Sequence, residues 1–290
     1  MSLKAESISN VHLRSEENRT FRLVWKVAKG LFGADKALQS LPETGNVREL
    51  CQAIATGFNI ELTANQTPEW SKQQSTQAVL IYGPHSFNVE PYLLFSLIER
   101  EDVYAVAIES ARQLLPASVK DRILSVTPTF MAKDAPRRSG AAGVMQRVRR
   151  SLFTNNTERT VSEIREANQQ ALQRAAQLLK EGHVVVIFPC ASGDIKTDRW
   201  YAGIGTILQS VLADEAAQDA MLQPFILTQI PFRRLLREMR GRFVKKQANR
   251  PPVELSLTWM RAQSASIVGA DASVGGIVEQ LRSDYLKRLS

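Results

Sequence analysis

A capped helix that runs directly into a fully apolar strand is the feature that most constrains the fold of this chain. Thr160 and Glu163 have the spacing of a capping box, the pair that begins many helices. Apolar residues then recur at helical spacing, and Gly182 is placed to end the helix. The next run, Val184–Phe188 (VVVIF), is apolar at every position, which is typical of a strand in a sheet covered on both faces.

Further short β-rich runs alternate with helical patterns along the chain. The patterns predict strands at 78–82, 103–108, 123–131, 225–230 and 253–259, and helices at 47–60, 91–100, 203–212 and 274–289. Strands that alternate with helices indicate a layered α/β fold.

Composition excludes several classes of protein. The chain has 290 residues and is 44% hydrophobic, which is enough for a core and too much for a disordered protein. Its two cysteines, Cys51 and Cys190, form neither a C-x-x-C motif nor a disulfide framework. Three histidines leave little material for a transition-metal site, so we expect no metal and no cofactor.

The charge of the chain favours anionic partners. The formal net charge is +8, which suits phosphate groups, acidic lipid headgroups or nucleic acid and does not choose among them. The four tryptophans show no regular spacing, so a base-stacking platform is unsupported and we predict no nucleic acid partner. We see no signal peptide, and no run of 18 apolar residues that would span a membrane.

The segment 20–33 (TFRLVWKVAKGLFG) has a basic amphipathic pattern. Its aromatic and aliphatic residues recur at helical spacing, with Arg22, Lys26 and Lys29 between them. Such a helix can lie in a membrane interface, and it can equally pack on the main domain.

A possible acid–base pair follows the predicted strand at 78–82. In the segment 83–91 (GPHSFNVEP), His85 precedes a helix start and Glu90 lies five residues further on. A turn that folds Glu90 back would fix the imidazole tautomer and stabilise the protonated ring, making His85 a general base. The alternative is a surface histidine beside a glutamate that the helix dipole favours.

Two other segments have the composition of anion-binding sites. The first, 188–194 (FPCASGD), follows the most apolar strand, and its backbone N–H groups can form an anion-binding turn or simply a plain one. Cys190 within it is a possible nucleophile and more commonly a small buried residue. The second is the basic connection 135–158, which includes Arg137 and Arg138 and whose charge can equally be a solvated surface.

Together these segments resemble the phospholipid/glycerol acyltransferases, the lysophosphatidate acyltransferase-like family. The first motif of that family is His, four residues and Asp, and here it reads His85 to Glu90. The third motif, Phe-Pro-Glu-Gly-Thr-Arg-Ser after an apolar strand, corresponds to 188–194. The second motif ends in a phosphate-holding Arg, where 127–133 (TPTFMAK) places Lys133, and 224–231 (PFILTQIP) is similar to the fourth.

The resemblance implies a fold and a division of the chain. It covers about residues 75–290, in which the order of elements also agrees. It implies an α/β domain at 76–290, with a mixed, mostly parallel central sheet covered by helices. Residues 1–75 are then an N-terminal extension, partly helical, with possible membrane-surface contact.

The resemblance also implies an activity. His85 would take the proton from an acceptor hydroxyl as that hydroxyl attacks an acyl thioester, acyl-CoA or acyl carrier protein, and Glu90 would orient His85. Substrate would bind at a set of residues in the other motifs and the basic connection: Lys133, Arg137, Arg138, Pro189, Cys190, Ser192 and Gly193.

The acceptor implied is a glycerophosphate or a lysophospholipid, and the location is cytoplasmic, peripheral on the inner face of an anionic membrane. Cys190 stands where the family has Glu, and the Thr-Arg that follows in the family is absent. This departure keeps a second hypothesis open, an acyl-lipid or acyl-carrier binding protein with weakened catalysis on the same fold.

Overall fold

The computed structural model describes residues 46–57, 60–83, 90–109, 112, 120–135, 158–190, 200–227 and 252–289. Within these ranges one sheet has eight strands. They are β1 (Ile60–Ala64), β2 (Val79–Tyr82), β3 (Val103–Ile108), β4 (Ile123–Val126), β5 (Val184–Ile187), β6 (Met221–Leu227), β7 (Val253–Trp259) and β8 (Gln263–Ser264). The strand order is β1-β7-β6-β2-β5-β3-β4, and β8 pairs with β6 off this path.

The centre of the sheet is parallel. Strand β2 pairs in parallel with β5 on one side and with β6 on the other, and β5, β3 and β4 continue in the same direction. Strand β1 is parallel to β7, whereas β6 is antiparallel to both β7 and β8. The predicted mixed, mostly parallel sheet is therefore confirmed.

Five α-helices of the described chain cover the two faces of this sheet: α1 (Val47–Gly57), α2 (Glu90–Leu97), α3 (Val161–Lys180), α4 (Gly203–Leu212) and α5 (Val274–Lys287). Helices α3, α4 and α5 pack on the face that carries Leu80, Tyr82 and Val185. Helices α1 and α2 pack on the other face, with Val79 and Ile81. Every side chain of β2 and β5 is buried, as expected of strands with helices on both faces.

Helix α3 begins and ends as its sequence predicts. The Thr160 side chain accepts from the Glu163 N–H, and the Glu163 carboxylate accepts from the Thr160 N–H, so the capping box is formed. Gly182 has a φ of 88°, the left-handed conformation that closes many helices. A methyl group at Gly182 would also lie 2.8 Å from the Thr76 carbonyl oxygen. The short connection to β5 therefore needs glycine both for its backbone conformation and for lack of space.

Four predicted elements differ from their predicted bounds by three residues or more. The helix predicted at 91–100 spans Glu90–Leu97. The helix predicted at 47–60 ends at Gly57, and the strand β1 begins at Ile60. The strand predicted at 123–131 ends at Val126, because Pro128 leads into a 3₁₀ turn at Thr129–Met131. Strand β6 begins at Met221, four residues before the strand predicted at 225–230, and residues 228–230 lie outside the described ranges.

Part of the predicted N-terminal extension lies in these same layers. Strand β1 pairs with β7 over its whole length, and Cys51 and Ala55 of α1 belong to the apolar cluster that α2 enters. The division of the chain at residue 75 stays a prediction. The amphipathic segment 20–33 lies outside the described residues.

Candidate functional site

The two segments that the sequence singles out follow neighbouring parallel strands. Tyr82, the last residue of β2, is in register with Ile187, the last residue of β5. The backbone leaves β2 at Gly83 and leaves β5 at Phe188, so both segments start at the same edge of the sheet. Neighbouring strands are about 5 Å apart. In open α/β sheets this carboxyl edge is where ligands bind.

The residues predicted to catalyse are placed only in part. His85 lies outside the described residues. Glu90 is the first residue of α2, one residue before the predicted start of this helix at Pro91. A carboxylate at that position is favoured by the positive end of the helix dipole. Glu90 thus begins a helix seven residues after Gly83, and the pairing of its side chain with His85 stays a prediction.

An aromatic ring from β6 lies beneath the start of both segments. A Cβ atom placed on Gly83 would lie 2.5 Å from Cε1 and 2.7 Å from Cδ1 of Phe225, so glycine lets the backbone pass directly over that ring. The Phe188 ring meets the same ring edge to face, with centroids 6.2 Å apart and planes at 88°. Phe225 has none of its surface exposed.

Cys190 belongs to the core and not to an open surface. It has no exposed surface and packs among the residues that cover the α3–α4–α5 face of the sheet. Its backbone forms an antiparallel bridge with Trp200, and the Tyr201 N–H donates to the Pro189 carbonyl oxygen at 2.8 Å. Pro189 is buried as well. Residues 191–199, which include Ser192 and Gly193, lie outside the described ranges, but both ends of this stretch are paired.

Three aromatic residues form the wall behind Cys190. The Trp200 ring lies 6.0 Å from Tyr82 and 5.8 Å from Tyr285, both edge to face. Burial raises the pKa of Tyr82 to about 12, although the charge of Arg288 acts in the opposite direction. Trp200 Nε1 is buried and has no hydrogen-bond partner in the part of the chain that the structure describes. This wall joins the end of β2 to the end of the 191–199 stretch.

Lys133 lies further along the same edge. It is exposed, follows the 3₁₀ turn after β4, and its N–H donates to the Arg159 carbonyl oxygen at 3.0 Å. Strand β4 is three strands from β2, a separation of about 14 Å at the usual strand spacing. Arg137 and Arg138 lie outside the described ranges, so their place at the site stays a prediction.

The first turn of α3, next to Lys133, already has partners for its N–H groups. Asp134 accepts from the Val161 N–H at 2.7 Å, and Thr160 accepts from the Glu163 N–H at 3.3 Å. Hydrogen bonds from Thr160, together with the charge of Lys133, hold the pKa of Glu163 below its usual range. Any phosphate bound near Lys133 would therefore have to be held by side-chain charge more than by these two N–H groups.

Sequence reasoning did not assign a role to Phe225 or Trp200. Phe225 lies inside the 224–231 segment, and Trp200 lacks regular spacing with the other tryptophans. A glycine directly after a buried strand is the one local signal, since Gly83 indicates a close approach that needs a partner. That partner is 142 positions away along the chain, so only the sheet topology identifies it.

Among the described residues, no group of three or more His, Cys, Asp or Glu side chains is placed to hold a metal ion. No helix in the described ranges has the length and apolar character needed to cross a membrane.

Comparison with known proteins gives a distant similarity in structure only. No protein-family model matches the chain, and no curated protein matches it. Among solved structures, it is similar to the crystal structure of the 1-acyl-sn-glycerophosphate (LPA) acyltransferase, PlsC, from Thermotoga maritima. The sequence identity is 10%, the TM-score is 0.40, and the match covers 97% of each chain. The architecture of the fold is given by the strand pairings of the chain itself.

Proposed function

We propose that this chain is an acyltransferase that moves a fatty acyl group from an acyl thioester to a hydroxyl group. The donor is acyl-CoA or acyl carrier protein. The acceptor is a glycerophosphate or a lysophospholipid. His85 is the general base and Glu90 orients it. The proposal is supported by the His85–Glu90 spacing, by the Phe188–Pro189 motif and by the edge of the sheet that both segments share.

The chemistry of this proposal balances without a covalent enzyme intermediate. The acceptor oxygen attacks the thioester carbonyl carbon while His85 takes the hydroxyl proton. The new C–O bond forms, the C–S bond breaks, and His85 returns the proton to the departing thiolate. Glu90 stabilises the imidazolium during the step, because a carboxylate beside an imidazole favours its protonated form.

The observation that carries the proposal is the parallel pairing of β2 with β5. Had these strands been antiparallel, Gly83 and Phe188 would start from opposite edges of the sheet. Because Tyr82 and Ile187 are in register, segment 83–91, which carries the general base, and segment 188–194, which matches the third motif, begin about one strand spacing apart. That is within the span of a thioester and an attacking hydroxyl.

The acceptor half of the site is assigned to the second and third motifs. Lys133, Arg137 and Arg138 supply positive charge for a phosphate group, and the backbone of 189–193, including Ser192 and Gly193, holds the glycerol portion. Cys190 takes part through its backbone, since its side chain is buried. Positive charge of this kind also suits an anionic membrane surface, on which the protein works as a peripheral enzyme facing the cytoplasm.

The test is release of free thiol from palmitoyl-CoA by the purified chain, with glycerol 3-phosphate, lysophosphatidate or a mixed polar-lipid extract as acceptor. Acyl carrier protein loaded with the same chain replaces CoA in a second series. We expect thiol release that depends on an acceptor and is lost in His85→Ala. Release that needs no acceptor would identify a thioesterase instead. Full activity of His85→Ala would reject the proposed mechanism.

A second candidate is an acyl-lipid or acyl-carrier binding protein with weakened catalysis. The buried Cys190, at the position where the family motif has an acid, favours it. Binding of a non-hydrolysable acyl-CoA analogue separates the two candidates when combined with the transfer assay. Binding without turnover on any acceptor or donor would support the second candidate, and turnover would exclude it.

A further inference from the structure

We infer that Phe225 is a positioning residue for His85, acting through Gly83. The inference rests on the proposed function for its meaning in catalysis. The contact between Gly83, at the end of β2, and the Phe225 ring on β6 does not depend on that function. Phe225 does not touch the reacting groups in this scheme; it sets where the general-base segment begins.

The contact is close enough to fix the backbone at Gly83. A Cβ atom there would lie 2.5 Å from Phe225 Cε1 and 2.7 Å from both Cδ1 and Cζ. Three ring atoms this close to the Cβ position mean that the ring fills the space that a side chain at residue 83 would need. Any residue larger than glycine would therefore displace either the ring or the backbone at the end of β2.

The ring itself is held on several sides. Phe188 meets it with centroids 6.2 Å apart, and Trp259 meets it at 6.3 Å and 68°. Trp259 is in turn held by Trp70 at 5.3 Å, edge to face. All of these rings except that of Phe188 are buried. A ring packed in this way does not swing aside at low cost.

The backbone of Phe225 is held as well. Its carbonyl oxygen accepts a 2.7 Å hydrogen bond from the hydroxyl group of Tyr285 on α5. Phe225 is also in register with Trp259 in the antiparallel pair of β6 and β7. Phe225 is therefore attached to both α5 and β7, and its ring is fixed relative to the end of β2.

The same ring touches the start of both motif segments. Gly83 lies two residues before His85, and Phe188 directly precedes Pro189. In this inference Phe225 sets how far apart Gly83 and Phe188, the starting points of the two segments, lie. A displacement of about 1 Å between such groups can cost roughly 100-fold in rate.

The test introduces a steric clash between residue 83 and the Phe225 ring, and then removes the clash with a second substitution. Gly83→Ala should push the backbone off the ring, with kcat reduced about 100-fold and KM changed much less. Phe225→Leu in the same chain removes the ring atoms that clash, so the double variant should regain at least about 10-fold. Gly275→Ala is the matched control, since a methyl group at that helical glycine meets nothing within 4 Å.

A second readout does not depend on activity. The chain has three histidines, so the imidazole signals of His12, His85 and His183 can be assigned by NMR. We expect the His85 signal to shift or broaden in Gly83→Ala and in Phe225→Leu, and to return toward its original position in the double variant. His183 precedes β5 at the opposite edge of the sheet and should stay where it is.

The outcomes separate the proposed function from the positioning role of Phe225. If the parent chain transfers no acyl group, the proposed function fails, and the histidine signals alone test the positioning role. If the parent is active and folded Gly83→Ala keeps both its kcat and its His85 signal, the inference is wrong. It is also wrong if the folded double variant is no better than Gly83→Ala. Should Gly83→Ala not fold, an unmoved His85 signal in Phe225→Leu would overturn the inference.

Discussion

The hydroxyl group of Tyr285 donates a hydrogen bond of 2.7 Å to the carbonyl oxygen of Phe225. Both residues are buried, and the bond joins helix α5, near the end of the chain, to the strand β6 in the middle of the sheet. The Tyr285 ring also lies 5.8 Å from Trp200, as one of the three rings of the wall behind Cys190. The last helix therefore supports the candidate site from beneath.

Removal of this hydroxyl group should destabilise the fold. In Tyr285→Phe the buried carbonyl oxygen of Phe225 loses its donor, which costs about 1–3 kcal/mol of unfolding free energy. Urea unfolding followed by circular dichroism measures the change. Tyr201→Phe is the matched control, because Tyr201 is 59% exposed, and its unfolding curve should coincide with that of the parent. Equal stability of the two variants would mean that the bond has no net value.

Asp102 should make stability depend on pH in the acid range. Burial alone would raise the pKa of Asp102, but hydrogen bonds from Arg100 and His183 and the charge of Arg100 bring it below its ordinary value. A lowered folded-state pKa stabilises the protein above the unfolded-state pKa. That contribution disappears as the pH falls through the folded-state value, in the window below about pH 4.

Asp102→Asn tests this dependence. The Arg100 side chain is 1% exposed and would keep its charge without a carboxylate partner, so we expect a loss of about 2 kcal/mol near neutral pH. The difference between parent and variant should shrink as the pH falls below about 4. Asp121→Asn, whose side chain is 93% exposed, should show no such effect. A difference that stays constant down to pH 2.5 would contradict the assignment.

The crossing of α4 and α5 should not tolerate a methyl group at Gly205. A Cβ atom there would lie 2.5 Å from the Val274 carbonyl oxygen and 2.9 Å from Val278 Cγ2. Gly205→Ala should therefore cost about 1–3 kcal/mol by overpacking, measured as a fall in thermal midpoint. Gly275→Ala places its methyl group in open space within a helix and should be neutral or slightly stabilising. Equal midpoints for the two variants would show that the helices separate easily.

Glu90 should be replaceable by aspartate but not by glutamine. Glu90→Gln removes the negative charge that the proposal uses to stabilise protonated His85, so kcat should fall about 100-fold or more. Glu90→Asp keeps the charge, matches the family motif, and should retain most of the rate. The assay is thiol release with the preferred acceptor across a range of pH. A fully active Glu90→Gln would show that this carboxylate plays no part.

Both cysteines should be inert in the folded protein. Burial raises the pKa of the Cys51 thiol to about 12, and Cys190 has no exposed surface. An aromatic disulfide reagent at about pH 8 should find almost no protein thiol until denaturant is added, and then two per chain. Rapid reaction of one thiol without denaturant would place a cysteine at an open surface. Inert thiols also make the transfer assay free of background from the protein.

Local sequence patterns predict the elements whose formation depends on residues close in sequence. The capping box of α3, Gly182 and the strand β5 lie within 30 residues of one another and follow from spacing and turn chemistry. Strand β1 was missed because its pairing with β7 joins residues nearly 200 positions apart. The IELTA run alternates apolar and polar residues after Gly57 and Asn59, but it is only five residues long and directly follows the apolar pattern that begins at Val47, so the sequence predicts no separate strand there.

The start of β6 was missed for a different reason. Pro224 and Gln223 lie within this strand, and both are unusual in the interior of a sheet. The Pro224 carbonyl oxygen accepts from the Met260 N–H at 3.0 Å, so the strand stays paired although proline has no N–H to give. Gln223 is buried because its side chain accepts from Trp70 Nε1 and donates to the Met260 carbonyl oxygen. These partners are distant in sequence, so no local rule predicts them.

Part of the candidate site could likewise be predicted from local sequence, and part depends on contacts between distant residues. The residue types of the proposed chemistry, His85, Glu90 and the Phe188–Pro189 pair, are visible in the sequence. That their segments start side by side depends on β5 being inserted between β2 and β3, which is a property of the strand order. The ring of Phe225 belongs to a third strand, and its contacts with Gly83 and Phe188 form only when all three strands are assembled.

The paired ends of the 191–199 stretch have a consequence for redesign. Cys190 and Trp200 bridge each other, and Pro189 accepts from Tyr201, so the chain enters and leaves this stretch at one anchored point of the core. A stretch attached in this way can be exchanged as a cassette, with its length and residues varied while the sheet stays intact. Under the proposed function, exchange of the nine residues 191–199 is expected to change which acceptor is used while the sheet keeps its pairings.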